Sequence, residues 1–322
     1  MLCFKIINSH SHLFHKNFYS EEIYNLVAKS FSKVLGVSEE VINQRYNPSV
    51  RNSRSLDGEA MVHVMDYAGI DKAIVSGIDL GLTIIGEAKW SVEEMNQWVA
   101  KQVNEYSDKL IGLCAVDLRR GERAIKLLEK AVEEWGMKGV KLHPCTGFYP
   151  NDPKFFPFYE KCVELNITLH SHTKAGVHPP LDSRFADPLF LDTIASKFPD
   201  LKINMIHFGG ISWIFKCLEI MTAKPNIYAD ISGHQLYIVG MPQYWLTILR
   251  NILDTPTISI GQIKDRVMFG TDWPYFKFIM DDRDWVNWLK NISENGKKYG
   301  LNFRPSEIKK ILGLNSKKML NI

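Results

Sequence analysis

The sequence predicts an α/β fold, a (β/α)8 TIM barrel, from three observations. Eight short runs rich in apolar and β-branched residues recur along the 322 residues. Longer stretches with helical periodicity separate these runs, and such alternation is typical of βα units around a parallel sheet. Nine of the ten histidines lie at, or shortly after, the C-terminal ends of the runs. Because eight parallel strands close into a barrel, these ends are expected to share one face.

The predicted strands and helices alternate from the N-terminus to the C-terminus. The strand runs are KIINSHSH from Lys5, KAIVSG from Lys72, LIGLCAV from Leu110, GVKLHP from Gly139, ITLHSH from Ile167, KINMIHFGG from Lys202, NIYADIS from Asn226 and RVMFGTD from Arg266. Helical patterning between them is clearest in SVEEMNQWVAKQVNEY from Ser91 and GERAIKLLEKAVEEWG from Gly121. This order favours repeated βα units over a separate helical domain.

The chain is longer than a minimal barrel, which needs roughly 250 residues. We therefore expect one domain over residues 1–322, with an insertion at about 13–52 after the first strand and a C-terminal helical extension. The insertion has helical patterning and is expected to cover one barrel mouth. The extension, RPSEIKKILGLNSKKML, predicts a helix, a turn at Gly313 and a last helical piece.

Composition and charge narrow the class of protein. A hydrophobic fraction of 45% and a charged fraction of 23% are typical of a globular protein. A net charge of +3 without a basic, aromatic-rich run argues against nucleic-acid and membrane partners and favours a small-molecule substrate. The five scattered cysteines predict reduced thiols, and the N-terminus lacks a signal-peptide pattern. The sequence thus predicts a cytoplasmic protein.

Nucleotide-binding motifs are missing where a doubly wound fold would need them. No GxGxxG follows a predicted strand, and the nearest phosphate-loop match, Gly81 to Gly86, continues with Glu87 and Ala88 instead of Lys and Ser or Thr. The barrel is therefore preferred over that alternative.

The spacing of the first histidine pair indicates a metal site. His10 and His12 are two apart at a strand end, so their side chains point to one side, roughly 6.6 Å apart along the chain. Two such imidazoles can bind one ion. His170 and His172 repeat the spacing, and His207 ends the sixth run. We take these positions together as a converging cluster.

Asp272 follows the apolar run VMFGT, where a carboxylate is costly unless it meets a cation, a proton donor or water. The alternative is a structural aspartate that starts a turn. Its register with the histidine-bearing strand ends favours a metal or acid–base role.

GVKLHP adds Lys141 and His143 on one side of the fourth run. Lys141 could clamp a substrate carboxylate, form a carbamylated bridge between metals, or extend its tip to solvent. For His172, His178, Arg184 and His234, local hydrogen bonding at the barrel rim is the alternative to substrate contact. His63 is expected to be a structural or a surface residue on a helix.

Taken together, these segments resemble the amidohydrolase superfamily. The motifs are IINSHSHLF, GVKLHP, ITLHSH, KINMIHFGG, NIYADIS, RVMFGTDWPY and the terminal EIKKILGLNSKKML. Their order and coverage are similar to the amidohydrolase-related group that includes aminocarboxymuconate-semialdehyde decarboxylase and γ-resorcylate decarboxylase. The combination of HxH with HFGG and FGTDWP is specific, whereas each motif alone is weak.

The resemblance implies a divalent metal at the strand ends, one or two ions per chain, with zinc first and manganese or iron as alternatives. It maps the metal ligands onto His10, His12, His170 and Asp272. His207 matches a residue that binds a second metal or acts in catalysis, so the catalytic pair is Asp272 and His207. Lys141 matches in position a lysine that some relatives carbamylate. The expected substrate-binding residues are Lys141, His143, His172, Arg184, His234 and Trp273.

Three functions are open at this stage. The first is a metal-dependent hydrolase, in which Asp272 accepts a proton from water and His207 polarises an amide, lactone or ester of a small carboxylated substrate. The alternative is a metal-dependent, non-oxidative decarboxylase of an aromatic or muconate-like acid. A non-catalytic barrel that binds a metal or metabolite is the third. Aromatic residues between Gln235 and Trp245 are compatible with a homodimer.

Overall fold

A ring of parallel strands forms the centre of the computed structural model, which describes residues 4–46, 56–84, 86–176, 178–258 and 260–322. Each of the eight predicted runs contains a strand, and the third is divided at Leu113 into two segments. The described strand segments are β1 Ile7–His12, β2 Lys72–Ser76, β3 Leu110–Gly112, β4 Cys114–Ala115, β5 Gly139–Leu142, β6 Thr168–His172, β7 Ile203–Ile206, β8 Ile227–Asp230 and β9 Val267–Met268.

The strands pair in chain order, β1-β2-β3 in one sheet and β4 to β9 in the other. All these pairings are parallel. The chain itself joins β3 to β4, and a parallel bridge between Ser11 and Trp273 joins the last strand to the first. The amide of Ser9 also donates to the carbonyl of Phe269 at 2.9 Å. These contacts close the ring, which confirms the predicted (β/α)8 barrel.

Helices surround the ring, and several carry clear end signals. In α4, the amide of Glu94 donates to Ser91 Oγ at 3.2 Å, while Ser91 N donates to Glu94 Oε2 at 2.8 Å, which is a capping box. The described helices are α1 Glu21–Leu35, α2 Glu39–Tyr46, α3 Gly58–Ala68, α4 Val92–Glu105, α5 Glu122–Glu133, α6 Phe156–Glu164, α7 Leu189–Lys197, α8 Gly210–Ala223, α9 Gln235–Gly240, α10 Pro242–Asp254, α11 Asp282–Lys290, α12 Ile292–Lys297, α13 Pro305–Lys309 and α14 Asn315–Leu320. In the described part of the chain, none is long and apolar enough to span a membrane.

The predicted insertion after the first strand forms helices α1 and α2. Ser20 caps α1 by accepting the amide of Ile23, and Gly36 ends the helix in the left-handed conformation at φ 66°. Ile23, Tyr24 and Val27 are buried on its inner face. Residues 47–52 of the predicted insertion lie outside the described residues, and the assignment of one domain over 1–322 stays a prediction.

The predicted turn at Gly313 is wrong. Gly313 lies inside a π-helical segment, Lys310–Leu314, that connects α13 to α14. A Cβ at this position would lie 2.0 Å from the carbonyl oxygen of Lys5. The same segment offers the carbonyl of Ile311 to the amide of Phe269, at 2.8 Å. Glycine is therefore required where the C-terminal extension approaches the segment before β1, because any side chain would collide with the backbone.

The cysteines expected to be reduced are free in the described chain. Cys114, Cys145, Cys162 and Cys217 are all buried and form no disulfide. Cys3 lies outside the described residues.

Gly313→Ala should reduce the free energy of unfolding by about 3 kcal/mol, because the new methyl group must displace backbone instead of a flexible side chain. Thermal unfolding followed by circular dichroism would measure the loss. Gly240→Ala is the matched control, since its Cβ would meet nothing within 4 Å. Equal melting temperatures for the two variants would contradict the close-approach explanation.

Asp282 predicts a pH-dependent stability difference. Burial raises the pKa of Asp282 to about 7, the neighbouring Asp281 adds to the rise, and its Oδ2 has no hydrogen bond in the described residues. A carboxyl whose pKa is raised in the folded state weakens folding as pH rises from its unfolded value of about 4. Asp282→Asn should therefore gain melting temperature relative to wild type between pH 4 and pH 7, with no further gain above. For Asp284→Asn, on the exposed side of α11, the plot of melting temperature against pH should run parallel to that of wild type. Plots parallel to wild type for both variants would contradict the prediction.

Candidate active site

Asp272 is the centre of a buried cluster at the C-terminal ends of the strands. Its Oδ1 lies 3.3 Å from His10 Nε2 and 3.5 Å from His12 Nε2. Its Oδ2 lies 4.0 Å from His207 Nε2. Each of these four side chains is almost fully buried. The barrel thus brings together residues that are up to 262 positions apart in the sequence, since His10 lies on β1 and Asp272 follows β9.

Unusual backbone conformations aim two of these side chains at the barrel axis. His207 and Phe208 have φ angles of 69° and 45°, and Asp272 has a φ of 55°. Left-handed backbone is uncommon for residues other than glycine and persists where the surroundings hold it. At Asp272 the backbone amide donates to the carbonyl of His10 at 2.9 Å. The strand end of His10 therefore positions the backbone of the carboxylate that its own ring faces.

Hydrogen bonds behind the rings determine which histidine nitrogens face the cluster. His207 Nδ1 lies 3.0 Å from the carbonyl oxygen of Ser232 and 2.8 Å from Ser232 Oγ. A carbonyl can only accept, so Nδ1 carries the proton and Nε2 presents its lone pair to Asp272. His12 has the same arrangement, because its Nδ1 donates to the carbonyl of Ser76 at 3.3 Å.

A second buried carboxylate, Asp230, supports His207. Asp230 accepts from the amide of His207 at 3.3 Å, from the hydroxyl of Ser232 and from Asn204 Nδ2 at 2.7 Å. Burial raises the pKa of Asp230, although the hydrogen bonds from Ser232 and Asn204 oppose the rise. Asp230 and Ser232 therefore orient the ring of His207 from behind.

These side chains fit a divalent cation. His10 Nε2 is buried and makes no hydrogen bond in the described residues. Ligand atoms of His10, His207 and Asp272 all lie within 4.8 Å of one another. Burial, followed by the charge of Lys141, lowers the pKa of His10 and His12 well below the usual value. Neutral imidazoles and a carboxylate are the forms that bind metals.

On β6, His172 is better placed than His170 to join the cluster. His170 Nε2 bonds to Thr168 Oγ1 at 3.0 Å, and its Nδ1 accepts from Asn204 Nδ2 at 3.3 Å, so both nitrogens have partners inside the barrel. His172 faces the cavity and contacts the ring of His207 edge-on, with centroids 4.7 Å apart. Its Nε2 donates to the carbonyl of Lys174 at 2.7 Å, which leaves the Nδ1 lone pair available. The geometry therefore favours His172, while the assignment of His170 as a ligand remains a prediction.

Lys141 lies beneath the cluster, on β5. It is 1% exposed, and its Nζ has no hydrogen bond in the described residues. The alternative in which its tip reaches solvent is therefore wrong. Burial lowers the pKa of Lys141 to about 8, and the carboxylates of Asp272 and Asp230 oppose that fall.

A cavity of about 210 Å³ opens above the cluster. Its floor contains His12, His207 and Asp272, and the insertion forms part of its wall, as the sequence predicted. The wall is mainly apolar, with the aromatic side chains Phe14, Tyr19, Tyr24, Phe31, Tyr275 and Phe276. Such a cavity suits a small planar molecule with a polar group directed at the floor.

The other expected substrate-binding residues are not all in this cavity. His143 lines it and stacks on His172, with centroids 4.3 Å apart. His234 is buried, bonds to the carbonyl of His207 at 2.9 Å and accepts from Trp245 at 2.9 Å, so it supports the His207 backbone. Trp273 is buried beside Asp272 and does not line the cavity, and the side chain of Arg184 is 70% exposed and pairs with Asp182.

Sequence reasoning missed Asp230, Ser232 and Lys174. Asp230 ends the apolar run NIYAD in the way that Asp272 follows VMFGT, so the same pattern could have identified it. Lys174 follows HSHT in a loop, where the sequence alone gives no signal that its side chain lines the cavity.

Comparison with known proteins identifies the family. A family model described as amidohydrolase matches residues 86–322, which is most of the chain. The chain belongs to this amidohydrolase family. It is therefore an enzyme of the hydrolase or carboxy-lyase type, as the resemblance implied.

Two relatives of this amidohydrolase are named as decarboxylases. Gamma-resorcylate decarboxylase from Polaromonas is 25% identical over 295 residues, covering 78% of this chain and 86% of the relative. The 2-amino-3-carboxymuconate-6-semialdehyde decarboxylase from Dictyostelium discoideum is 23% identical, covering 70% and 67%.

Solved structures share the fold of this amidohydrolase. An uncharacterized TIM-barrel protein from Bordetella bronchiseptica has a TM-score of 0.69 at 21% identity, with 99% of both chains covered. A 5-carboxyvanillate decarboxylase from Novosphingobium aromaticivorans, complexed with manganese, has a TM-score of 0.65 at 18% identity, with 99% of this chain and 97% of that chain covered.

Metal content should separate the two histidines of β6. His12→Ala and His172→Ala are expected to lose most of about one bound ion per chain, because each removes an inward lone pair. His170→Gln should retain the ion, since both ring nitrogens of His170 bond within the barrel. Elemental analysis after manganese loading and dialysis would measure this. Loss of metal from His170→Gln with retention in His172→Ala would reverse the assignment.

Proposed function

We propose that this amidohydrolase is a metal-dependent, non-oxidative decarboxylase of a small planar unsaturated acid. The observation that carries the proposal is the buried cluster of His10, His12, His207 and Asp272 on the floor of a cavity with aromatic walls. Relatives named as decarboxylases of gamma-resorcylate and of an aminocarboxymuconate semialdehyde support this chemistry over hydrolysis.

The cation is proposed to be manganese or zinc, with one ion per chain. His10 Nε2, His12 Nε2 and Asp272 Oδ1 would hold it, together with His172, which leaves His207 Nε2 free to accept a proton. When bound, the ion supplies positive charge that holds the substrate carboxylate and a neighbouring oxygen or nitrogen substituent. Solved decarboxylases of this fold that are described with manganese support the choice of metal.

Asp272 is proposed as the proton donor. Its Oδ1 faces His10 and His12, whereas its Oδ2 faces His207, so the two oxygens have different surroundings. A proton on Oδ2 passes to the carbon that bears the carboxylate, and a C–H bond forms. The C–C bond then breaks, its electron pair returns to the planar system, and carbon dioxide leaves. Water returns a proton to Asp272 through Nε2 of His207, and the hydroxide that remains returns to solvent.

The aromatic wall contributes by excluding water. Tyr24, Phe31 and Tyr275 surround the space above the floor with apolar surface. In such surroundings a carboxylate is poorly hydrated, which favours its conversion to neutral carbon dioxide. Release of carbon dioxide needs no attacking water, whereas the hydrolase first expected from the sequence does.

The manganese-loaded protein should release carbon dioxide from 2,6-dihydroxybenzoate or a related hydroxybenzoate, and in heavy water the product should carry one deuterium at the vacated carbon. Asp272→Asn should lower the rate by about 10³-fold, because it removes the proton donor. Asp284→Asn, exposed on α11, is the matched control and should keep the wild-type rate.

Mass spectrometry of the product and detection of carbon dioxide would check this prediction. Acid release from cyclic lactones without carbon dioxide would instead establish the hydrolase. A metal-loaded protein inert toward both classes would favour the non-catalytic barrel.

A further inference from the structure

A lysine that the proposed chemistry does not use lines the active-site cavity. Lys174 follows β6, and its backbone carbonyl accepts from His172 Nε2 at 2.7 Å and from the thiol of Cys145 at 3.7 Å. The ring of His172 also contacts the ring of His207 edge-on. The backbone of Lys174 is therefore tied to the same wall as the metal-facing histidines.

Two glycines make room for the Lys174 side chain. At Gly233, with φ 77°, a Cβ would lie 3.1 Å from Lys174 Nζ. At Gly210, with φ 57°, a Cβ would lie 3.3 Å from Lys174 Cγ. Both glycines lie near residues of the site in the sequence, since Gly210 begins α8 three positions after His207 and Gly233 directly follows Ser232. The two glycines thus leave space for the lysine side chain.

The Lys174 ammonium has no ion-pair partner in the described residues; burial lowers its pKa, and the more distant carboxylate of Asp272 opposes that fall. The ammonium makes no hydrogen bond or ion pair in those residues, and its neighbours are the rings of Phe276, at 4.5 Å from Nζ to the centroid, and Tyr237, at 6.0 Å. Burial has the largest effect on the pKa of His207, which it lowers, and the charge of Lys174 has the next largest effect in the same direction. Lys174 therefore acts on the catalytic cluster. Lys174 is half-buried, and a half-buried cation without an ion-pair partner favours an anionic ligand.

The charges of the described cavity indicate how many negative charges that ligand carries. Lys174 and Asp272 are the charged residues among its described lining, in which the buried histidines of the cluster are neutral. Below the cavity, the carboxyl group of Asp230 opposes the charge of Lys141. With a divalent ion in place, the cavity has two positive charges in excess when Asp272 is ionised, and three when Asp272 holds the proton that it donates. A substrate with one carboxylate neutralises only one of them.

We propose that Lys174 binds a second anionic group of the substrate, so that this enzyme acts on planar dianions with one carboxylate at the metal cluster and one anionic substituent at Lys174. This inference rests on the proposed function for the first carboxylate. Lys174 is a specificity-determining residue: it recognises the part of the substrate that does not react.

The test compares inert ligands that differ by one carboxylate. Isothermal titration of the manganese-loaded wild type with benzoate and the three benzenedicarboxylates should show at least one dicarboxylate binding about tenfold more tightly than benzoate. Lys174→Met should remove this preference and leave benzoate affinity within about twofold. Lys174→Arg should restore most of it, because the charge is kept. Lys16→Met, at an exposed lysine, should match wild type.

Retained benzoate binding in Lys174→Met serves as the check that the site has folded. Two results for Lys174→Met would overturn the inference: an equal loss of affinity for benzoate and for the dicarboxylates, or an unchanged preference for the dicarboxylate. The inference would also be overturned if the wild type preferred benzoate or bound neither class of ligand. A failure of the proposed function can be distinguished from a failure of this inference. A dianion preference that depends on Lys174 without any release of carbon dioxide supports Lys174 and removes the decarboxylase. If wild type and Lys174→Met release carbon dioxide with equal kcat/KM, the decarboxylase is supported and the role of Lys174 is removed.

Discussion

The carboxylate of Asp272 is the group around which the catalytic face of the barrel is arranged. A buried carboxylate is costly unless cations or donors surround it. Here the nearest groups are three imidazoles, two from β1 and one from the end of β7, while the charges of Lys141 and Lys174 act on it from further away. Burial raises the pKa of Asp272 to about 7, against the opposing charges of Lys141 and Lys174. Protein cations therefore do not fully offset the burial of this group, which is consistent with a binding site for an additional cation.

The hydrogen bonds behind the cluster make it specific. Carbonyl oxygens of Ser76 and Ser232 fix the tautomers of His12 and His207, so each ring directs a lone pair inward without having to reorganise. Asp230 extends this support to the amide of His207, whose left-handed backbone is otherwise strained. The strain and the second buried carboxylate both weaken folding. They are tolerated because the same contacts aim His207 at Asp272.

The sequence predicted the strands and the amidohydrolase family, but its first choice of reaction, hydrolysis, is less well supported than its decarboxylase alternative. It also could not predict how deep a side chain lies in the barrel or where two backbone segments approach closely. The period-2 pattern identifies His170 and His172 as neighbours on one face, yet it cannot tell which one reaches the barrel mouth. One partner of His170, Thr168, is two residues away on the same strand, but the other, Asn204, becomes visible only when β6 and β7 are aligned. In the sequence, Gly313 looks like an ordinary turn residue. The structure shows that glycine is needed there because the carbonyl of Lys5, 308 positions away in the sequence, leaves no space for a side chain. Such contacts depend on tertiary structure, which local patterns do not encode.

Chemistry and selectivity come from different parts of the chain. The groups that face the reacting carbon lie at the ends of strands paired on both sides, where a shift of one residue would turn a side chain away from the axis. The walls come from α1 of the insertion, from the segment after β6 that carries Lys174, and from the segment after Asp272. These connections are not constrained by strand register, so their residues can change without disturbing the cluster. Relatives with the same floor and different connections would therefore share a reaction type and differ in the substituent that they accept.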